Sequence, residues 1–114
     1  MGGNVYYETV GTAPSRVFIV QFENVPPYDG SGSARFEFKL LEATQSIEVH
    51  YDQLVRDIGT PEGGIGLNND DGTDGAGYYC GTGYPTKAGD GSNDWAVRFY
   101  GGSLPVEISA FAIE

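Results

Sequence analysis

The chain carries one cysteine, Cys80, and one histidine, His50. A lone thiol excludes an internal disulfide framework and any zinc cluster built on cysteine. No basic residue stands beside Cys80 to stabilise a thiolate, so it is expected to be a small buried hydrophobe rather than a reactive group. A lone imidazole confines nucleophilic catalysis to sites built on His50, and no serine stands in a G-x-S-x-G elbow. Cations are scarce as well: 6 Lys and Arg face 16 Asp and Glu, giving a formal charge of -10. That balance repels nucleic acid and anionic membranes and favours neutral, cationic or metal-bridged partners. No apolar run approaches the roughly 20 residues of a membrane span, which argues against membrane insertion. The N-terminus also lacks the basic-then-apolar layout of a signal peptide.

At 114 residues the chain has room for one domain and its core. Met1-Gly2-Gly3 reads as a start and linker joined to a domain over residues 4–114. The dominant hydrophobic period is two, and a helix-length stripe at 3.6 is missing. In "ARFEFKLLEA", Phe36, Phe38 and Leu40 alternate with Arg35, Glu37 and Lys39; "SIEVHYD" repeats the pattern with Ile47, Val49 and Tyr51. "EATQS" between them is a hairpin connection. "SRVFIVQFENV" puts apolar groups on both faces, as in a central strand covered on both sides. "NVYYETVG" precedes it and ends on a turn signal from Gly11 to Pro14; "VPPYDGSGS" follows it as a loop. "GGIGLNN", "AGYYCGTG", "DWAVRFYG" and "PVEISAFAIE" supply further strands. Tyr51 to Gly59 is the one candidate for a helical turn, or else a loop pinned by Leu54, Val55 and Ile58. About eight strands joined by Gly, Pro, Asn and Asp turns predict an all-β, antiparallel, jelly-roll-like sandwich.

Two acidic knots stand out. "GLNNDDGTDGAGYYC" holds Asp70, Asp71 and Asp74, and "DGSND" holds Asp90 and Asp94. Calcium takes about six to eight oxygen ligands, and loops this rich in carboxylates could converge on one ion. Against D-x-[DN]-x-[DN]-G-x5-E, however, Gly72 stands at the third ligand and Gly81 replaces the closing glutamate. Tight turns need residues tolerant of positive φ, and that need accounts for the glycines as well as the acids. A hairpin tip is therefore the leading expectation and a calcium site the alternative. His50, on the wet face of its strand, is expected to be solvated rather than catalytic. Paired carboxylates of a glycosidase remain open, although unpaired surface acids explain the same residues.

Aromatic residues offer a second kind of site. Tyr78, Tyr79, Tyr84, Trp95 and Tyr100 fall in a glycine-rich third of the chain, where flat ring faces beside polar loops can hold sugar rings or peptide, with Tyr79, Tyr84 and Tyr100 the candidates for ligand contact. Tyr84 lies in a segment without strand pattern. Tyr78 and Tyr79 are consecutive, so one should point in and the other out. Trp95 alternates with Val97 and Phe99 and is expected in the core.

The ordered series "VYYETVGTAPSRVFIVQFENVP", "FEFKLLEATQSIEVHY" and "GIGLNNDDGTDGAGYYC" resembles a β-sandwich module that recurs in large secreted or surface-attached bacterial and archaeal proteins. The resemblance spans about residues 4 to 100. It implies an extracellular or cell-surface binding or adhesion module without catalytic residues, part of a multidomain protein, with extracellular polysaccharide or protein as partner. A carbohydrate-binding module with an aromatic platform and a structural calcium ion is one alternative; a spacer without a ligand is another. In that family further strands usually precede the segment matching Val5. The chain is then either a whole domain or the C-terminal part of a larger module, and an uncovered flank would favour a homodimer through strand pairing.

Overall fold

The computed structural model describes residues 2–26, 32–56, 62–82 and 95–100. The alternating segments form seven strands: β1 (Asn4–Val10), β2 (Val17–Val25), β3 (Gly32–Leu41), β4 (Ser46–Arg56), β5 (Glu62–Asn68), β6 (Gly75–Thr82) and β7 (Trp95–Phe99). Five make one antiparallel sheet in the order β1-β2-β3-β4-β7, and β5 and β6 make a separate antiparallel hairpin. The all-β, antiparallel, sandwich-like architecture matches the expectation from period two. The eighth predicted segment, 105–114, lies outside the described residues.

Local chemistry sets the turns. Between β1 and β2, Ser15 N–H donates to the Thr12 carbonyl at 2.8 Å, and Gly11 sits at φ 83°, where an added Cβ would meet the Ser15 carbonyl at 2.9 Å. Between β3 and β4, Glu42 to Gln45 form the expected turn, and Gln45 adopts φ 49°. Arg16 braces both turns: its Nε donates to Glu42 Oε2 at 2.7 Å, and its backbone N–H donates to the same oxygen at 3.0 Å.

Residues paired across antiparallel strands share a face, so the register sorts the large sheet into two surfaces. One carries Phe18, Val20 and Phe22, then Phe36, Phe38 and Leu40, then Ile47, Val49 and Tyr51, and finally Trp95, Val97 and Phe99. The other carries Gln21, Glu37, Lys39, Glu48, His50 and Arg98.

The buried core occupies only part of the apolar face. Ala34, Val49, Tyr51, Leu54, Val97 and Phe99 form one buried cluster, against which Ile65, Leu67 and Ala76 of the hairpin pack. The hairpin therefore roofs the β4 and β7 end of the sheet. Toward β1 the same face stays half-open: Phe18, Val20 and Phe22 are half-buried, and Phe38 is 37% exposed. The expected central place of β2 is found, since β1 and β3 flank it, but its two faces are not covered as expected: its side chains are at most half-buried and the deepest burial lies on β4 and β7.

Two other expectations change. Residues 51 to 56 continue β4 as strand, with neither helical turn nor loop; residues 57–59 lie outside the described residues. The predicted loop after β2 is shorter than expected, because Val25 still pairs with Ala34 and β3 already begins at Gly32.

Two bulges shape the polar surface. The register slips between Phe22 and Val25 in β2, where Asn24 adopts φ 51°, and again where Arg35 pairs with Gln53 but Phe36 pairs with Tyr51. Asp52 is the extra residue of the second bulge. Both irregularities flank Arg35, and they bring the carboxylates of Glu23 and Asp52 to its guanidinium.

Candidate functional site

The acidic loop is the tip of the β5–β6 hairpin. Asn69 N–H donates to the Asp74 carbonyl at 3.0 Å and Gly72 N–H to the Asn69 carbonyl at 3.2 Å, with Gly72 at φ 72°. Its side chains serve the turn itself. Asp71 Oδ1 accepts from the Thr73 hydroxyl at 2.6 Å and the Thr73 N–H at 3.0 Å, which holds the Asp71 carboxyl below its usual range. Asp74 Oδ1 accepts from Gly75 N–H at 2.9 Å, and Asn69 Oδ1 accepts from Asp74 N–H at 3.1 Å. Asp70 is exposed on the same turn. Among the described residues no group of three or more His, Cys, Asp or Glu side chains is arranged to hold a metal ion. Asp90 and Asp94, the other half of the proposed calcium set, lie outside the described residues.

The aromatic residues are partly brought together. The Trp95 ring stacks on Tyr51 with centroids 4.3 Å apart, and the Tyr78 ring lies tilted against Trp95 at 5.5 Å. A register slip between Ile65 and Gly66 makes Tyr78 the extra residue of β6. It leaves Tyr78 57% exposed and Tyr79 half-buried. The in-and-out expectation for this pair thus resolves with Tyr78 the more exposed of the two rings. A bulge is not visible in composition, so alternation alone could not choose between the two. Tyr100 is 61% exposed just beyond β7; Tyr84 lies outside the described residues. Burial pushes the Tyr51 hydroxyl up to about 12, with the neighbouring Tyr78 adding to the shift. The Trp95 indole N–H is buried and finds no acceptor among the described residues, which costs about 1–3 kcal/mol of desolvation.

Cys80, expected as a buried hydrophobe, is exposed. The correction follows from the hairpin having only two strands: its inward face meets the sheet through Ile65, Leu67 and Ala76, and its other face is left to solvent.

The polar face of the large sheet holds the one imidazole. His50 Nε2 lies 2.7 Å from Glu48 Oε2, while Arg98 Nε donates to Glu48 Oε1 at 2.8 Å. The His50 hydrogen bond first, and then Arg98, hold the Glu48 carboxyl below its usual range against the opposing effect of burial. Beside them an open cleft of about 270 Å³ is lined by Gln21, Arg35, Glu37, His50 and Asp52, among others. Its charged groups are engaged in pairs: Lys39 with Glu37 at 3.0 Å, and Arg35 with Asp52 and Glu23. His50 stands on the polar face, as alternation predicted, but it is half-buried and hydrogen-bonded to Glu48 rather than simply solvated.

Two antiparallel sheets, a partly roofed core, an acidic turn bonded within itself and exposed aromatic rings describe a small all-β, sandwich-like module. The chain belongs to the NIDO-related family, whose family model matches residues 1–89. NIDO is an extracellular domain, and NIDO-related domains are extracellular in general. No curated protein and no solved structure matches the chain. Among the described residues no helix is long and apolar enough to cross a membrane.

Proposed function

We propose that this chain is a non-catalytic binding or adhesion module of a larger extracellular protein. The observation that carries the proposal is the exposure of large apolar and aromatic side chains: Val5, Tyr6, Tyr7, Val10, Tyr78 and Tyr100 are all exposed on a chain of net charge -10. Exposed apolar patches mark contact surfaces, and the net charge directs them toward neutral or cationic partners. Extracellular polysaccharide or protein fits that description.

The outward Tyr78 favours a carbohydrate ligand as the second reading. Its ring rests against Trp95, which is itself stacked on Tyr51, so it meets a flat ligand face at little conformational cost. Tyr79, Tyr84 and Tyr100 remain candidates to extend this platform.

Pull-down on insoluble polysaccharides and on immobilised extracellular proteins, with calcium and with chelator, tests both readings. Binding by the native chain is expected. If the ligand is a sugar, Tyr78→Ala should weaken it about tenfold, as loss of one aromatic contact of about 1.4 kcal/mol predicts. Absence of binding to every polysaccharide and protein tested overturns the proposal. Binding that calcium strengthens supports a metal at the acidic turn.

A further inference from the structure

β1 is an edge strand of unusual plainness. It pairs with β2 through an unbroken register from Asn4 with Glu23 to Val10 with Val17, and among the described residues no strand lies on its other side. An edge of this kind presents a row of N–H and C=O groups, which proteins normally shield with proline, lysine, a bulge or a short strand. In "NVYYETV" the single charge of Glu8 is the one shield, without proline, lysine or bulge. Both of its faces also expose large side chains, with Tyr7 at 71%.

From this edge we infer that the chain self-associates, β1 pairing antiparallel with β1 of a second copy to join two five-stranded sheets into one. A closed two-fold axis that keeps both apolar faces on the same side requires one residue of the strand to face its own counterpart. Centring on Tyr7 pairs the whole strand. Tyr6 then faces Glu8, Val5 faces Thr9, and Asn4 faces Val10. The only charge on the strand, Glu8, meets a tyrosine. Centring on Glu8 would set two carboxylates directly opposite, which is unfavourable, and centring on Tyr6 would leave Thr9 and Val10 unpaired. The Tyr7-centred register is therefore the longest, and it sets no like charges opposite each other. It also sets two Tyr7 rings side by side, each already leaning on its own Phe18 at 6.2 Å.

A single strand pair buries less than the roughly 1,000 Å² of a stable interface, so the dimer is weak for the free chain. Tethering of several copies at a surface would raise their effective concentration toward about the millimolar range and make the same contact effective. The overall negative charge opposes association, so added salt should strengthen it.

Disulfide trapping of the full chain tests the register, with Cys80→Ser as background to remove the exposed native thiol. Under mild oxidation Tyr7→Cys should cross-link with itself. A mixture of Val5→Cys and Thr9→Cys chains should cross-link, whereas Val5→Cys alone should not. Ala43→Cys, exposed in the β3–β4 turn two strands away from β1, sets the random rate. Trapping of the two predicted pairs about tenfold above that rate supports the inference. Rates equal to Ala43→Cys, or trapping of Val5→Cys with itself, overturn it.

Discussion

Two phenylalanines on the same face of the large sheet should respond unequally to truncation. Phe99 is 5% exposed within the cluster that the hairpin roofs, and Phe38 is 37% exposed on the open half. Phe99→Ala removes a buried ring and leaves an enclosed void, for a cost of about 3–5 kcal/mol. Phe38→Ala removes a ring of which about two thirds is out of water; scaling the 1.5–3 kcal/mol of full burial gives about 1–2 kcal/mol. Loss of edge-on contacts to Phe22 at 5.9 Å and Phe36 at 5.6 Å adds about 0.5–1 kcal/mol. No void term applies, since water fills the space. Urea titration followed by tryptophan fluorescence reads both variants. With a slope of about 1–2 kcal/mol per molar for a domain of this size, the midpoint of Phe99→Ala should fall below that of Phe38→Ala by about 0.5 M or more. Equal midpoints would mean that the β1 side of the face is as well covered as the β7 side, and the placement of the core would be refuted.

Two further outcomes concern titration. Hydrogen bonds from Arg16, side chain first, lower the Glu42 carboxyl to about 2 from its ordinary 4.5. A depressed pKa contributes stability that is present above the unfolded value and lost as pH falls toward the folded one. Glu42→Gln should therefore flatten the loss of melting temperature between about pH 4.5 and 2, and an unchanged acid limb would contradict the pair. Burial raises the Tyr51 hydroxyl to about 12 from 10.0, so the unfolded chain loses this proton first and stability falls as pH rises from about 10 to 12. Tyr51→Phe should remove that part of the alkaline slope, and an identical slope in the variant would count against a buried hydroxyl.

Strands and hairpins were legible because each follows from short-range chemistry: period two in "RFEFKL" and "SIEVHYD", and turn residues in "EATQ" and "NNDDGTDG". The misread stretch was the end of β4. Tyr51 and Leu54 are both buried although three apart, a spacing that suggests a helix and contradicts a regular strand. The bulge at Asp52 shifts the alternation by one and restores both side chains to the core face. Whether a strand bulges depends on its neighbours, here β3, and so escapes local pattern. The same limit left open which of Tyr78 and Tyr79 is the more exposed, a choice set by the slip opposite Ile65 and Gly66. Burial of Cys80 failed for a different reason: a cysteine is usually inside, but a two-stranded hairpin has only one inner face.

Direct pairing of β4 with β7, from Ile47 with Phe99 to Tyr51 with Trp95, gives the middle of the chain an unusual independence. The polypeptide leaves the large sheet after β4, builds the hairpin, and returns to the very strand it left. Its point of departure and its point of return are neighbours, so the excursion makes a closed detour in the topology. Chains sharing the meander from β1 to β4 and the returning β7 could differ widely in the length and decoration of that detour without moving a single hydrogen bond of the sheet. The ring of Tyr78 and the acidic turn both ride on it. Loop length and surface chemistry can therefore vary on this one segment while the framework beneath stays fixed, so long as the contacts of Ile65, Leu67 and Ala76 with the core are kept.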